Sequence, residues 1–216
     1  MFSLLLGAAL AAKVTVPIDV GVGPALLVPN GALYGAQPGY GAIALSGEAV
    51  IDKETLRKNK KKIPKQYRQM MKGVEEIRIS KPYIPHMLYL SPPVQDSWML
   101  GGSFQPVSLG TSLVSRPKLS WDLDAGLLLT YAYITQPALY DGGMHFLRPG
   151  LALRTEVERE LTDTFLISFG WESQLYVPQG LGDSPFALPS DLSSSLWHLG
   201  GPFLKLHFRF PYTVKI

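Results

Sequence analysis

Between residues 119 and 133 every second side chain is apolar: Leu119, Trp121, Leu123, Ala125, Leu127, Leu129, Tyr131 and Tyr133. The residues between them are Ser120, Asp122, Asp124, Gly126, Leu128, Thr130 and Ala132. A period of two belongs to an extended strand with two unlike faces; a helix would space its apolar residues by three and four. The pattern recurs. Leu147, Pro149, Leu151, Leu153, Thr155 and Val157 alternate with Arg148, Gly150, Ala152, Arg154, Glu156 and Glu158. Phe165, Ile167, Phe169 and Trp171 oppose Ser168, Gly170, Glu172 and Gln174. Leu204, Leu206, Phe208, Phe210 and Tyr212 alternate with Lys205, His207 and Arg209. Near the start, Val16, Ile18, Val20 and Val22 oppose Asp19, Gly21 and Gly23, and Ile43, Leu45 and Ala49 oppose Ala44, Ser46 and Glu48. Between residues 98 and 115 the phase slips around Pro106, which predicts a bulge, since proline removes a ladder donor.

Seven segments carry the pattern clearly: 13–28, 40–51, 98–115, 118–134, 146–159, 164–177 and 196–214. Residues 83–90 are the candidate for the eighth that an even-stranded barrel requires. These segments far exceed the usual strand of about 5–6 residues and match the roughly 9–11 needed to cross a bilayer with some projection beyond it. Pattern alone does not say which face points inward, but volume does. An eight-stranded barrel leaves room only for side chains. The aromatic face is too bulky for that space, whereas the Gly-, Ala- and Ser-rich face with a few long charges fits. The expectation is an all-β fold: an eight-stranded antiparallel transmembrane β-barrel with a polar interior and a short basic helical insert between strands 2 and 3. The expected lumenal network is Asp19, Glu48, Asp122, Asp124, Arg148, Arg154, Glu156, Glu158, Glu172, Lys205, His207 and Arg209.

Loop lengths set the orientation. Residues 115–118 and 157–164 allow only short turns; 29–39, 136–144 and 179–195 are long and rich in Gly, Pro, Ser and Asp. Trp121, Phe208, Phe210 and Tyr212 fall near one rim, and Tyr131, Tyr133, Tyr176 and Trp197 near the other, as two interfacial girdles do. Residues 1–12, MFSLLLGAALAA, combine a short apolar core with a small-residue end and read as a signal peptide. The barrel then occupies 13–216. No run of about 18 apolar residues follows that would form a membrane-spanning helix.

The last segment, with Gly201 and then Leu204, Leu206, Phe208 and Phe210 at alternate positions, resembles the assembly signal of small outer-membrane β-barrels. The chain as a whole resembles that class, which includes the OmpA transmembrane domain and OmpX. The resemblance is architectural. It implies the outer membrane of a Gram-negative bacterium, contact with outer-membrane lipid and lipopolysaccharide, and insertion by the outer-membrane assembly machinery. It implies no chemistry.

Residues 52–80 break the alternation. Residues 53–81 carry eleven Lys/Arg and three Glu, a local net of +8, while the rest of the chain holds nine against fourteen, a net of −5. Asp52 is placed to cap a helix, Pro64 to open a second one and Gly73 to end it. Lys58, Lys60, Lys61, Lys62, Lys65, Tyr67, Arg68 and Lys72 form the candidate surface for a membrane or an envelope partner. Nucleic acid is not expected, because no aromatic–basic reading motif accompanies the charge.

No catalytic signature stands out. The chain has no cysteine, which excludes disulfides and thiolate-held metals. Its four histidines lie outside any H-E-x-x-H, and no G-x-S-x-G or phosphate-binding loop occurs. No metal or cofactor is called for. Glu156 and Glu158 share a face, as an acid/base pair would, but an ion-pair network filling the barrel is the preferred reading, because unpaired charges in so narrow an interior would be very costly. The expected role is a plugged, non-enzymatic envelope anchor or interaction protein; the alternative is a small porin-like pore or a lumenal lipid or small-molecule binder, and third comes an enzyme acting on envelope lipid.

Overall fold

The computed structural model describes residues 13–29, 39–52, 57, 76–80, 84–91, 98–135, 143–176 and 197–215. Among these, every regular element is a strand: β1 (Lys13–Pro29), β2 (Tyr40–Asp52), β3 (Glu76–Ser80), β4 (Met87–Leu90), β5 (Trp98–Phe104), β6 (Val107–Arg116), β7 (Leu119–Thr135), β8 (Gly143–Glu160), β9 (Phe165–Tyr176) and β10 (Trp197–Lys215). All pairings are antiparallel, and the ends of the chain meet. Lys13 lies opposite Lys215 and Asp19 opposite Arg209. β1 also pairs with β2, so the sheet closes on itself.

The ten strands form eight staves. β3 and β4 both pair with β2, at its two ends, and together make the third stave. β5 and β6 both pair with β7 and make the fourth. The break in the fourth stave falls at Gln105–Pro106. Phe104 pairs with Leu129 but Ser108 pairs with Gly126, so one extra residue is accommodated there. A second slip separates Ser112 from Val114. The third stave is broken at nearly the same height, between Ser80 and Met87. The Ser80 amide donates to the Pro106 carbonyl at 3.2 Å, and the His86 amide to the Ser103 carbonyl at 2.7 Å, so the two interruptions face each other.

Two sequence expectations are corrected here. The third stave begins at Glu76, inside the segment assigned to a helical insert, and Asp52 pairs with Glu76 as the last residue of β2 rather than capping a helix. The alternation Ile77-Arg78-Ile79 explains the strand. The remaining insert residues named above, Lys58 through Lys72, lie outside the described residues, as do residues 1–12.

Burial is inverted relative to a water-soluble barrel. Leu127 is 60% exposed and Phe169 61%, while Arg154 is 3% and Glu156 1%. Pro117–Lys118 and residues 161–164 close one end of the barrel, where Lys13, Asp52, Glu76 and Lys215 also lie; Pro29, Tyr40, Leu90, Trp98, Thr135, Gly143, Tyr176 and Trp197 end their strands at the other. Phe165 and Phe208 rings pack at 5.3 Å and Phe208 and Phe210 at 5.5 Å near the turn end, and Trp98 packs on Tyr133 at 5.2 Å near the loop end. Tyr176 departs from the expected girdle. It points inward and is 1% exposed.

Candidate functional site: the filled lumen

The lumen has two storeys. In the turn-end half, charges from six staves converge. Arg154 on β8 donates to Asp124 on β7 at 3.3 Å and lies 3.3 Å from Glu156. Lys205 on β10 reaches Glu156 at 3.0 Å, with its ammonium 4.8 Å from the Phe203 ring centroid. Arg209 bridges Asp19 at 2.9 Å and Glu158 at 3.1 Å. At the centre is Arg78, a residue the sequence reading did not single out. Its three guanidinium nitrogens face three carboxylates: Glu48 at 3.7 Å, Asp124 at 3.7 Å and Glu158 at 3.6 Å. Five carboxylates thus meet four fixed cations, with His207 as the fifth partner.

His207 stands in a Ser–His–Asp line. Its Nδ1 donates to Asp19 at 2.6 Å, and its Nε2 lies 2.7 Å from the Ser168 hydroxyl. The connectivity is that of a hydrolase triad, but its surroundings are not. Ser168, His207 and Asp19 are each 1% exposed. Glu156 lies 3.5 Å from the same Nε2, where an attacking serine would need an electrophile. In this packing the line ties β1, β9 and β10 together.

Asp122 sits at the edge of the lattice and accepts from Ser112 at 2.6 Å and Ser120 at 2.7 Å. Glu172 lies higher, 2.7 Å from His86 and 2.7 Å from the Gln174 amide that donates to it. Arg148 is buried opposite Thr130 in the loop-end half, away from the lattice. The structure therefore brings nine of the twelve sequence candidates into one cluster, namely Asp19, Glu48, Asp124, Arg154, Glu156, Glu158, Lys205, His207 and Arg209, and sets Asp122, Arg148 and Glu172 apart from it.

Above Glu172 the interior changes character. Tyr89 and Tyr176 both donate to the Gln174 carbonyl oxygen, at 2.9 and 2.7 Å, and Thr130 lies 3.0 Å from Tyr176. Around them pack Leu27, Tyr40, Met87, Met99, Leu128, Leu199 and Phe203. An interior polar throughout was expected; its loop-end half is an apolar core with a tyrosine–glutamine knot. The sequence signal was present in the breaks of the alternation, where Leu128 and Phe203 occupy lumenal positions.

The lattice is incompletely hydrogen-bonded from protein alone. Among the described residues, Glu48 Oε2, Asp124 Oδ1, Arg154 Nη1, both Glu156 carboxylate oxygens and Glu158 Oε1 are buried without a hydrogen-bond partner. Buried polar atoms of this kind are normally satisfied by ordered water.

No family model matches the chain, and no curated protein matches it in sequence. Solved structures do match in fold. Neisserial surface protein A (NspA) is 10% identical, with 90% of this chain and 97% of that chain covered, at a TM-score of 0.53. Ail of Yersinia pestis is 9% identical, covering 90% and 99%, at a TM-score of 0.45. The N-terminal β-barrel domain of Pseudomonas aeruginosa OprF is 10% identical, covering 91% and 98%, at 0.38. With its eight staves, closed seam and outward apolar belt, the chain has the fold of the small outer-membrane β-barrels, the class of NspA.

Proposed function

We propose that this protein is a sealed outer-membrane barrel of a Gram-negative bacterium, serving as an envelope anchor or interaction protein rather than as an enzyme. The observation that carries the reading is the filled lumen inside an inverted surface. The apolar belt requires lipid, and the interior offers no passage: a charge lattice fills one storey and a tyrosine-centred core the other. Function then falls to the two ends. The basic segment between β2 and β3 in the sequence is proposed to meet anionic lipid or an envelope partner. The decisive experiment has two arms. The membrane-extracted protein should run faster on a gel unheated than boiled, and reconstituted protein should leave a planar bilayer silent. Recovery without detergent would overturn the membrane placement; steady unitary conductance would overturn the seal.

One observation favours a second reading. The carboxylate oxygens of Glu48, Asp124, Glu156 and Glu158 face their cations as ion pairs without protein hydrogen bonds, which leaves them open to water in the turn-end storey. A pore would need only the loop-end plug to open. Shrinking the plug by Tyr176→Ala and Tyr89→Ala tests this: conductance appearing in the double variant supports a latent channel.

A further inference from the structure

Among the described residues, one two-residue turn holds a left-handed backbone at a residue that is not glycine. Pro117–Lys118 closes the β6–β7 hairpin, and Lys118 has φ = 63°. It is the one non-glycine residue with positive φ among those described. A left-handed backbone disfavours any residue with a Cβ, and glycine or asparagine is the ordinary occupant after proline in such a turn. Strain retained at one residue directs attention to its side chain.

That side chain borders a groove. β7 and β8 pair from Leu119↔Arg159 to Thr135↔Gly143, so the turn before β7 lies beside the turn after β8. Pro117, Lys118, Leu119, Arg159, Glu160 and Leu161 line the space between them. Leu119 and Leu161 are exposed and form its apolar wall, which continues upward through Trp121, Val157 and Phe165 of the outward belt. Lys118 and Arg159 form its rim, and neither makes an ion pair among the described residues. Arg159 lies on the outward face with Val157, directly below the apolar belt. Glu160 is exposed and lines the same groove, so the lining carries two cations against one carboxylate and stays net positive. An apolar wall ending in two outward cations at a bilayer boundary complements an amphiphile with an anionic head.

We propose that this groove holds an anionic phospholipid of the leaflet at the turn end, with Lys118 and Arg159 on its phosphate and an acyl chain along Leu119 and Trp121. The proposal rests on the outer-membrane reading. It differs from membrane attraction by the basic segment in using two cations fixed on the barrel wall.

The full-length protein, refolded into nanodiscs and released for native mass spectrometry, is offered phosphatidylglycerol and phosphatidylcholine. Phosphatidylglycerol should remain as a one-lipid adduct in preference to phosphatidylcholine. Each of Lys118→Gln and Arg159→Gln should weaken its retention about fivefold, the contribution of one cation at an anionic surface. Lys60→Gln with Lys61→Gln and Lys62→Gln should leave the adduct in place. Lys118→Gly should raise the unfolding midpoint yet lose the adduct. Equal retention of the two lipids, loss only in the triple variant, or a Lys118→Gly protein that keeps its adduct would each overturn the proposal. Failure to enter the nanodisc would overturn the membrane reading itself, and is read before any lipid is added.

Discussion

Arg78 is where a single side chain matters most. With it, five carboxylates face four fixed cations and His207; without it, three fixed cations remain. Removing one partner of a buried pair costs about 3–5 kcal/mol, because the abandoned charges stay buried. Arg78→Ala should therefore lower the denaturant midpoint of the detergent-folded barrel by that order, followed by loss of the fast-migrating gel form; an unchanged midpoint would mean that water already screens the lattice. The carboxylates were legible in the sequence, because each interrupts an apolar alternation. Arg78 was not, because the basic run around it hid the short Ile77-Arg78-Ile79 period. The Ser168–His207–Asp19 line was hidden for another reason. Its members come from three strands, and nothing short of the closed ring places them together. Glycines opposite the long side chains complete the fit. A Cβ on Gly110 would stand 2.5 Å from Asp124 Oδ1, and one on Gly21 would meet Ser46 Oγ at 2.5 Å and His207 Nδ1 at 2.8 Å. Gly110→Val should cost about 1–3 kcal/mol, the range for overpacking, and the same gel assay reads it.

Among the elements, the third and fourth staves are the weak part of the wall. β7 and β8 pair continuously along their whole length, whereas β3 meets β6 only from Glu76↔Gly110 to Ile79↔Val107. Both staves are interrupted at one height, and the break in the third lays Ile84 over Gly47, where a Cβ would come 2.2 Å from its Cδ1. Fewer ladder bonds per stave mean cheaper local opening. In hydrogen exchange of the detergent-folded protein, amides of residues 76–80 and 87–90 should exchange well before those of 121–133 and 147–157. Uniform protection would contradict this ranking. The sequence revealed the break at Pro106, since proline and a phase slip coincide there. It did not reveal the start of the third stave, because five residues are too few for a period of two to stand out beside a charged segment.

At the scale of the whole molecule, the inside-out arrangement makes a direct prediction. Leu127 and Phe169 sit in the middle of the exposed belt. An arginine at either position should cost about 2–4 kcal/mol near the bilayer midplane and reduce the heat-modifiable fraction; normal assembly of Leu127→Arg would show that this face does not meet hydrocarbon. Closure has a further consequence. The seam joins β1 to β10, and Asp19 meets His207 and Arg209 across it, partners 188 and 190 residues apart. β10 also brings Lys205 to Glu156. Shutting the wall and neutralising its contents are therefore one event. A nascent chain that has not yet received its final strand has both an open edge and an acid-heavy trough, and each fault keeps the other in contact with water. The last strand is latch and counter-ion in one: the residues that close the ring also neutralise the carboxylates it encloses.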